Sequence, residues 1–329
     1  MALQNTQPRG SGYCAKGAIG MRTAFLNEIT NLMRKHKDII VITADMGFSV
    51  FEGLQKEFPN RFMNTGITEQ SSIGIATGLA LSGYTVYFYA QAQFATMRCF
   101  EQVRLDVAFH NLNVKIIGVA SGFSTNQLGV SHYAIEDVAL MRLLPNMTVL
   151  TPGDPYESSE LTRLSYETAG PVYIRINKSG TPLVHNNKKP AIVIGKGLKI
   201  RAGKGCSLLV SGSLLPVAVA AADMLSEQGI QTSVISFHTV KPLDKALILQ
   251  EARFTKNIFT LEDHFITGGF GSAVAEVLAE ANSTARFLRL GVPDRFTSVV
   301  GSQEYLLAEN GLSKEEIVKT IVQHLKHKL

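Results

Sequence analysis

Hydrophobic positions follow two alternating patterns along most of the chain. Short runs of consecutive apolar, often β-branched residues are each followed by a segment in which apolar residues recur every three or four positions. The runs predict buried strands and the recurring pattern predicts amphipathic helices. Continuous apolar strands that alternate with helices are typical of a parallel sheet covered on both faces. We therefore predict an α/β protein with mainly parallel sheets.

A polar stretch at 177–190, NKSGTPLVHNNKKP, divides this pattern in two. It contains glycine, two prolines and no periodicity, and it therefore predicts a linker. The strands predicted before it are 39–45, 84–90, 114–121, 147–152 and 171–176, with helices at 21–36, 68–82, 97–110, 135–143 and 154–168. The strands predicted after it are 206–212, 232–237, 257–263 and 286–292, with helices at 213–228, after Pro242, at 270–281 and at 313–327. We expect a flexible segment at 1–20 and two α/β domains, at 21–185 and 186–329.

Composition excludes several classes of protein. The 329 residues are 45% hydrophobic, and the net charge of +5 is spread along the chain without a basic, aromatic face, so nucleic-acid binding is not indicated. The three cysteines (Cys14, Cys99 and Cys206) are far apart and predict neither a disulfide framework nor a zinc site. No apolar run has transmembrane length, and the first residues lack a hydrophobic signal core. We expect a cytoplasmic protein that does not bind a membrane.

One segment of small residues has a single acid near its start. In NTGITEQSSIGIATGLALSG (64–83) no charged residue follows Gln70, and Glu69 stands where the helix is predicted to begin. By its position alone, Glu69 complements the helix dipole, an effect of about 0.3–1 kcal/mol. In a partly desolvated pocket the same carboxylate has a raised proton affinity and can work as an acid or base. The choice between these roles depends on the neighbouring motifs.

Five separated stretches resemble one family in the right order. They are FMNTGITEQSSIGIATGLALSGY (62–84), QFATMRCFEQVRLDVAF (93–109), LGVSHYAIEDVALMRLLPNMTVLTPGDPYE (128–157), EDHFITGGFGSAVAEVL (262–278) and LGVPDRF (290–296). The first three resemble the pyrimidine-binding domain of thiamine-diphosphate enzymes of the transketolase and deoxyxylulose-phosphate synthase group. The last two resemble the transketolase C-terminal domain. The resemblance extends over nearly the whole chain from Met21.

The resemblance implies roles at the cofactor ring. Glu69 matches the glutamate that contacts the aminopyrimidine of thiamine diphosphate and sets its protonation, so a catalytic role is favoured over the dipole role. Phe94 and Phe100 fall where the family places aromatic residues around this ring, although aromatic residues in an α/β protein more often belong to the core. Met97 falls where transketolases often have another aromatic residue, and its thioether can pack there less specifically.

The resemblance also implies contacts with substrate. His132 matches the histidine of the family motif DGxTH, which faces the substrate and assists proton transfer. Arg175 matches the family's phosphate-binding arginine, and Arg22 aligns more weakly with a second one; arginine is suited to bidentate contacts with phosphate. His264 lies near the same region, and for it a structural role is the simpler interpretation.

Two positions depart from the family pattern. Leu128 replaces the aspartate of DGxTH, which contacts a sugar hydroxyl, and Ala120 replaces a histidine that faces the substrate in many transketolases. An apolar side chain cannot accept a hydrogen bond, and a site that loses such a contact changes its substrate preference. We therefore expect a specialised ketol transfer that uses a modified sugar.

The chain lacks the diphosphate-binding domain of a complete transketolase. It has neither the GDG motif nor the asparagine that holds Mg²⁺ in that domain, and hard oxygen ligands are needed for Mg²⁺ or Ca²⁺. The resemblance therefore implies a split enzyme, in which a second polypeptide with the GDG motif binds the diphosphate and the metal ion. In the family the cofactor lies between two protomers, so we expect a heterotetramer with two copies of each chain.

Three alternatives remain. FEQVRLDVA (100–108) resembles deoxyxylulose-phosphate synthase, which condenses pyruvate with loss of CO₂, about equally well. The beta subunit of an oxo-acid dehydrogenase has a similar size and provides a similar glutamate, but SHYAIEDVALMR (131–142) and VPDRF (292–296) fit transketolase better. A non-catalytic subunit with the same fold is the third, and the presence of Glu69, His132 and Arg175 argues against it.

Overall fold

The computed structural model describes residues 19–48, 50–178, 180–185 and 189–326. Within these ranges the chain forms two α/β units, each built on its own sheet, which confirms the predicted fold class. The predicted flexible segment at 1–20 lies outside the described residues except for its last two positions.

The first sheet is built mainly from the first half of the chain. Its own strands are β1 (Ile39–Thr43), β2 (Phe62–Asn64), β3 (Thr85–Gln91), β4 (Val114–Val119), β5 (Thr148–Leu150) and β6 (Val172–Ile176). The helices are α1 (Met21–Lys35), α2 (Glu52–Glu57), α3 (Glu69–Leu81), α4 (Phe100–Gln102), α5 (Asp137–Leu143) and α6 (Pro155–Glu167), and π-helical segments lie on either side of α4, at Phe94–Arg98 and Val103–Ala108.

The second sheet belongs to the second half. Its strands are β7 (Leu198–Arg201), β8 (Cys206–Ser211), β9 (Thr232–Ser236), β11 (Asn257–Phe265) and β12 (Arg286–Val292). The helices are α7 (Leu215–Glu227), α8 (Lys245–Thr255), α9 (Phe270–Glu280), α10 (Gln303–Glu309) and α11 (Lys314–Lys326), and a short 3₁₀ turn, Gly212–Leu214, precedes α7.

Both sheets are parallel except at one edge. The order in the seven-stranded sheet is β10-β5-β6-β4-β3-β1-β2, where β10 is Thr239–Lys241, and the order in the five-stranded sheet is β12-β11-β8-β9-β7. The antiparallel strands are β10 and β7. Each strand predicted from an apolar run is present. The strands that were not predicted, β2, β7 and β10, are short edge strands; β2 and β7 have no fully buried residue, and β10 has only three residues in all.

Strand β10 joins the two halves of the chain, because it comes from the second half and completes the first sheet. Thr239 pairs with Leu150, and the amide of Thr151 donates to the carbonyl of His238 at 2.8 Å. An edge strand with unpaired backbone groups is a liability, and β10 covers this one. The domain boundary predicted between residues 185 and 186 stays a prediction, and one strand of the first sheet comes from beyond it.

Two acidic residues at the start of α6, Asp154 and Glu157, hold the linker that follows β6. Asp154 accepts hydrogen bonds from the amides of Val184, at 2.8 Å, and His185, at 3.1 Å. The imidazole Nε2 of His185 lies 3.2 Å from Oε1 of the buried Glu157. Although burial opposes a charged imidazole, the hydrogen bond with Glu157 and the nearby Asp154 carboxylate raise the pKa of His185. The described part of the linker is therefore attached to the first unit.

A buried arginine on β6 connects the two units. Arg175 donates from Nε to Asp137, at 2.8 Å, and from Nη1 to Asp263 on β11, at 2.5 Å. Its Nη2 donates to the carbonyls of Ala134 and Asp263, at 2.8 and 3.0 Å. Tyr173 donates a further hydrogen bond to Asp137 at 2.5 Å. Four of the five N–H groups of the guanidinium are thus engaged inside the protein.

This placement does not favour the role predicted for Arg175. Only 3% of the side chain is exposed, and its charge is already matched by Asp137 and Asp263. A substrate phosphate would have to displace a buried carboxylate to reach it, which is costly. We therefore assign Arg175 to the contact between the two units, and its phosphate-binding role stays a prediction that this burial disfavours.

Replacement of Arg175 by methionine is expected to lower the free energy of unfolding by about 3–5 kcal/mol, because it leaves two buried carboxylates without a charged partner. The matched control is Arg34→Met, which removes an exposed ion pair with Glu57 and is expected to change the free energy of unfolding far less, because solvent screens an exposed pair. Urea denaturation followed by circular dichroism measures both. Equal losses for the two variants would contradict the structural role of Arg175.

Candidate active site

The carboxylate of Glu69 is placed by a short turn between β2 and α3. The side-chain oxygen of Asn64 accepts from the amides of Asp45 and Gly66, at 3.0 and 3.1 Å, and the hydroxyls of Thr65 and Ser72 lie 2.6 Å apart. Gly66 has a φ of +74°, a left-handed conformation that favours glycine. The turn therefore fixes the first residue of α3, Glu69, whose side chain is only 5% exposed.

Glu69 is paired with an arginine that the sequence analysis did not single out. Nη1 of Arg98 donates to Oε2 of Glu69 at 2.8 Å. Within the described residues the other oxygen, Oε1, has no hydrogen-bond partner. A buried carboxylate with one oxygen fixed and one free has a defined direction in which to accept a further hydrogen bond. Arg98 also belongs to the stretch QFATMRCF, but a lone arginine there gives no signal without the fold.

Arg98 and Phe94 stand at opposite ends of one π-helical segment. The guanidinium carbon of Arg98 lies 4.0 Å from the centroid of the Phe94 ring, a cation–π contact. The hydrogen bond from Cys99 Sγ to the carbonyl of Phe94, at 3.2 Å, supports the wider turn. Burial raises the pKa of the Cys99 thiol to about 12, so this cysteine is a structural donor and not a nucleophile. Single π-helical turns are frequent at functional sites.

The three side chains predicted to surround a cofactor ring lie in different environments. Phe94 is half-buried and contacts both Arg98 and His132. Phe100 is also half-buried, but it packs against the core of the first unit. This agrees with the alternative that an aromatic residue in an α/β protein belongs to the core. Met97 is 38% exposed on the surface of the π-helical segment. The structure brings Phe94 to Glu69 through Arg98, and the ring contacts predicted for Phe100 and Met97 stay predictions.

His132 lies beside Phe94, on the loop after β4. The two rings meet edge to face, with centroids 5.4 Å apart and planes at 69°. Nδ1 of His132 lies 2.9 Å from the hydroxyl of Ser131, while Nε2 has no hydrogen-bond partner among the described residues. Glu69, Arg98, Phe94 and His132 therefore form one continuous row, although they come from three separate segments of the chain.

Contacts within the first unit and one from the second unit hold this loop in place. Gly122 and Ala134 form a β-bridge across the loop, and Ala134 accepts from Arg175. The amide of Phe265 donates to the carbonyl of Ile135 at 2.9 Å. These bonds fix both ends of the segment that carries His132.

His264 also holds the first unit to the second. The amide of Ala139 donates to its Nε2 at 3.2 Å, so Nε2 acts as the acceptor, while Nδ1 lies 2.7 Å from the carbonyl of Phe265. Both ring nitrogens are thereby used in the neutral form, and burial lowers the pKa of His264 further. This geometry fits the structural interpretation of His264.

The tip of the loop is apolar and exposed. Leu128 and Val130 are each 54% exposed, and the hydroxyl of Tyr133 donates to the carbonyl of Val299 at 2.7 Å, which brings a loop of the second unit alongside. Leu128 lies near the exposed Ser131, whose hydroxyl donates to the Leu128 carbonyl. The side chain of Leu128 itself presents no hydrogen-bonding group. Its predicted effect on substrate choice stays a prediction.

Arg22 lies in the first turn of α1. It is half-buried, and it makes no hydrogen bond or ion pair with another described residue. Of the two arginines predicted to bind phosphate, Arg22 is thus the one whose donors are not already used. Its phosphate contact stays a prediction.

The residues present fit the pyrimidine part of thiamine diphosphate and not its metal ion. Glu69 offers a free carboxylate oxygen and Phe94 an aromatic neighbour, which suit a flat ring that donates hydrogen bonds. Over residues 19–326, apart from the gaps given above, no group of three or more His, Cys, Asp or Glu side chains is arranged to hold a metal ion. The helices in these same ranges are too short or too polar to cross a bilayer.

An apolar face remains uncovered next to Glu69. It consists of large side chains on the turn before α3, on α3 and on the second π-helical segment with the residue after it: Ile67 at 73% exposure, Ile75 at 38%, Leu81 at 66%, Leu105 at 42% and Phe109 at 76%. Between them the helix presents Gly74 and Gly78, which are also exposed. Large apolar side chains exposed on two elements that pack against each other are typical of a surface that contacts another chain.

Comparison with known families identifies both units. Residues 17–182 match the family model of the transketolase pyrimidine-binding domain, and residues 195–317 match that of the transketolase C-terminal domain. Together these two matches account for most of the described chain.

Similar proteins of known sequence or structure agree with this. The chain is 37% identical over 309 residues to a putative transketolase C-terminal section of Methanocaldococcus jannaschii, covering 93% of this chain and 96% of that protein. It is 35% identical to a subunit of the apulose-4-phosphate transketolase of Phocaeicola vulgatus, with 95% and 99% covered. A solved structure of a split gene transketolase, an inactive beta4 tetramer, superposes with a TM-score of 0.87 at 35% identity, over 95% of this chain and 100% of that one.

Substitution of Gly122 by alanine is expected to disturb the attachment of the His132 loop. Its φ of +56° disfavours a side chain, and an added Cβ would overlap a carboxylate oxygen of Asp263, the partner of Arg175. The control is Gly83→Ala, where φ is +94° and no atom lies within 4 Å of the added Cβ. Because both variants share the backbone penalty of about 1–2 kcal/mol, Gly122→Ala should lose at least about 2 kcal/mol more in urea unfolding. Indistinguishable unfolding curves would show that the Asp263 contact is unimportant.

Proposed function

This chain belongs to the transketolase family, and we propose that it is the C-terminal subunit of a two-chain enzyme that transfers a two-carbon ketol unit between sugar phosphates. The observation that carries this proposal is the buried Glu69, held at the start of α3 by Arg98 with one oxygen free, in a row that ends at His132. The relatives from Methanocaldococcus jannaschii and Phocaeicola vulgatus, a C-terminal section and a subunit, match this chain over nearly their whole length, which favours a separate polypeptide.

Thiamine diphosphate supplies the carbanion chemistry of ketol transfer when it is bound, and the protein orients it and controls protons. With the cofactor bound, Oε1 of Glu69 would be the oxygen available to accept a hydrogen bond from the pyrimidine ring, while Arg98 holds Oε2 and keeps the carboxylate from rotating away. The burial of Glu69 excludes water from this contact, and Phe94 provides an apolar wall beside it. These residues thus hold one end of the cofactor in a fixed direction.

His132 is proposed to move protons on the substrate. Its Nε2 is free within the described residues, and Nδ1 is oriented by Ser131, so the imidazole can exchange a proton with a sugar hydroxyl or carbonyl oxygen. Arg22 is proposed to bind the phosphate group of the substrate, since its guanidinium has no partner among the described residues. The contacts of the loop with β11 and with Arg175 keep His132 at a constant distance from Phe94.

The remaining half of the active site is proposed to come from a second polypeptide with a GDG motif. It would bind the diphosphate group and Mg²⁺, or Ca²⁺, for which this chain offers no ligand cluster among its described residues. The exposed apolar face around Ile75 and Phe109 is proposed as its docking surface, because it adjoins Glu69. Two copies of each chain would complete two active sites. We also propose a cytoplasmic location, which the free, buried cysteines Cys99 and Cys206 suit.

The substrate is proposed to be a modified sugar phosphate. Leu128 and Ala120 stand where the family places polar contacts, and neither can form a hydrogen bond through its side chain. The relative from Phocaeicola vulgatus is named for apulose 4-phosphate, which is consistent with specialisation in this group.

The proposal is tested by co-expressing this chain with the neighbouring reading frame that encodes a GDG-containing protein. The purified complex is supplied with thiamine diphosphate, Mg²⁺ and a panel of ketose and aldose phosphates that includes xylulose 5-phosphate, ribose 5-phosphate and branched sugars. We expect ketol transfer without release of CO₂, and slower transfer from xylulose 5-phosphate than from a modified donor. Release of CO₂ from pyruvate would instead favour the deoxyxylulose-phosphate synthase or oxo-acid dehydrogenase alternatives, and inactivity with all donors would favour a non-catalytic subunit.

In the same complex, Glu69→Gln is expected to lower kcat at least about 100-fold, because positioned acids and bases typically contribute about 10²- to 10⁴-fold. Glu57→Gln, which alters an exposed carboxylate on α2, is the control and should leave the rate unchanged. Steady-state kinetics with saturating cofactor measures both variants. Full turnover by the Glu69→Gln enzyme would remove Glu69 from the catalytic machinery.

A further inference from the structure

Three buried oxygen atoms that have no hydrogen-bond partner in the described part of the chain lie after three adjacent strands of the first sheet. They are Oε1 of Gln93, Oγ of Ser124 and Oδ1 of Asn177. Gln93 and Asn177 are each only 4% exposed and Ser124 is 8% exposed. Buried polar atoms in folded proteins are nearly always hydrogen-bonded, so an unpartnered one needs an explanation. Their common location gives one.

The sheet brings these residues to the same edge. Strands β3, β4 and β6 are parallel neighbours, in which Gln91 pairs with Val119 and Val119 pairs with Ile176. Gln93 follows β3, Ser124 follows β4 and Asn177 follows β6, so all three lie beyond the carboxyl ends of the strands. In open α/β sheets, ligands bind in the crevice outside these ends.

Each of the two amide side chains uses one of its two N–H groups inside the protein, and its carbonyl oxygen has no partner among the described residues. Nε2 of Gln93 donates to Oε1 of Gln91 at 2.7 Å, and Nδ2 of Asn177 donates to the hydroxyl of Thr181 at 3.2 Å. The atoms without a partner are thus two carbonyl oxygens, which can only accept a hydrogen bond, and the hydroxyl of Ser124, which can accept or donate one. A ligand that satisfies the two carbonyl oxygens must bring N–H or O–H groups.

The backbone shortly before Ser124 is strained. Ala120, which directly follows β4 in the middle of the three strands, has a φ of +64°, an unusual conformation for a residue with a Cβ. Its methyl group is the smallest side chain that a residue other than glycine can place there. Strained backbone at the end of a central strand is characteristic of ligand-binding sites.

We propose that Gln93, Ser124 and Asn177 form a subsite that recognises hydroxyl groups of the sugar. The subsite rests on the proposed function, since it places a sugar beside the row from Glu69 to His132; Gln93 directly precedes Phe94 of that row. A phosphate dianion accepts hydrogen bonds and carries negative charge, so it does not suit two carbonyl oxygens. Phosphate belongs at a cation such as Arg22, and the hydroxylated carbons belong at the strand ends.

The subsite would also replace the polar contacts that Leu128 and Ala120 cannot make. Leu128, on the loop tip, removes one hydroxyl contact, and Ala120 removes a second side chain near β4. Gln93 and Asn177 return two acceptors on the rigid ends of β3 and β6. A contact from a strand end discriminates among sugars better than one from an exposed loop, because its geometry is fixed before the ligand arrives.

The test combines a protein variant with substrate analogues. Gln93→Met removes the carbonyl oxygen while retaining the length of the side chain. Thr260→Val is the matched control: it removes a different unpartnered buried oxygen, on β11 in the second unit. In the co-expressed complex, Gln93→Met should raise the KM for the hydroxylated sugar about 5- to 15-fold, the effect of one lost hydrogen bond, and Thr260→Val should leave it unchanged. Cofactor affinity, measured by isothermal titration calorimetry, should be the same in both.

Deoxy sugars make the result independent of folding. Two analogues are compared with ribose 5-phosphate on the unaltered complex: 2-deoxyribose 5-phosphate and 3-deoxyribose 5-phosphate. The one that lacks the recognised hydroxyl should bind about 5- to 15-fold more weakly, the effect of the same lost hydrogen bond. Gln93→Met should produce no further loss with that analogue. Equal KM values for the Gln93→Met and Thr260→Val enzymes with every sugar would overturn the subsite.

The subsite and the proposed function can fail separately. If the complex transfers no ketol unit from any donor, the proposed function fails, and calorimetric binding of ribose 5-phosphate to the unaltered complex and to Gln93→Met still decides the subsite. Weaker binding to the variant, with inorganic phosphate bound equally by both, supports it. Equal binding of the sugar phosphate to both proteins rejects it.

Discussion

The guanidinium of Arg175 connects the two sheets and the loop that carries His132. It is almost fully buried, and its charge is balanced by one carboxylate from each unit, Asp137 and Asp263. A buried charge needs such partners, since the alternative is a large desolvation penalty. The same guanidinium donates to Ala134 on the loop, so the arrangement of the two units and the position of His132 depend on one side chain. This explains how a second domain without a candidate catalytic residue of its own contributes to the site.

The candidate site adds a second ion pair with a different purpose. Arg98 is 42% exposed while Glu69 is 5% exposed, so the pair lies at the boundary between the core and the uncovered apolar face. An exposed pair contributes little to stability, but here it holds a carboxylate oxygen in one direction and leaves the other free. The π-helical turn that begins at Phe94 brings the arginine to Glu69 and sets its guanidinium against the aromatic ring. Local backbone geometry thus converts an ordinary first-turn acid into an oriented acceptor.

The pattern of apolar residues predicted the central strands of both sheets and most of the helices, because buried parallel strands leave a strong signal. It did not predict β10, three residues from the second half of the chain that pair with β5 of the first sheet. No local pattern reveals such a long-range pairing. Motif resemblance found Glu69, Phe94 and His132, which the structure brings together in one row. It missed Arg98 and placed Arg175 on the substrate, because an arginine in a strand looks the same in sequence whether its partner is a phosphate or a buried aspartate. Only the positions of Asp137 and Asp263 distinguish the two.

A chain that buries an acid and leaves an apolar face beside it holds only part of a site. The small residues of α3, Gly74 and Gly78, allow another backbone to approach closely, and the large ones around them supply area to bury. Covering this face would exclude water from Glu69 and Arg98 and so strengthen their interaction, because electrostatic attraction grows as the surroundings become less polar. Assembly and the environment of the Glu69 carboxylate would therefore be coupled: a partner that buries the apolar surface would also remove water from around the proposed catalytic acid. The strand ends with Gln93 and Asn177 belong to this chain, so the proposed sugar subsite would already be formed before a partner binds.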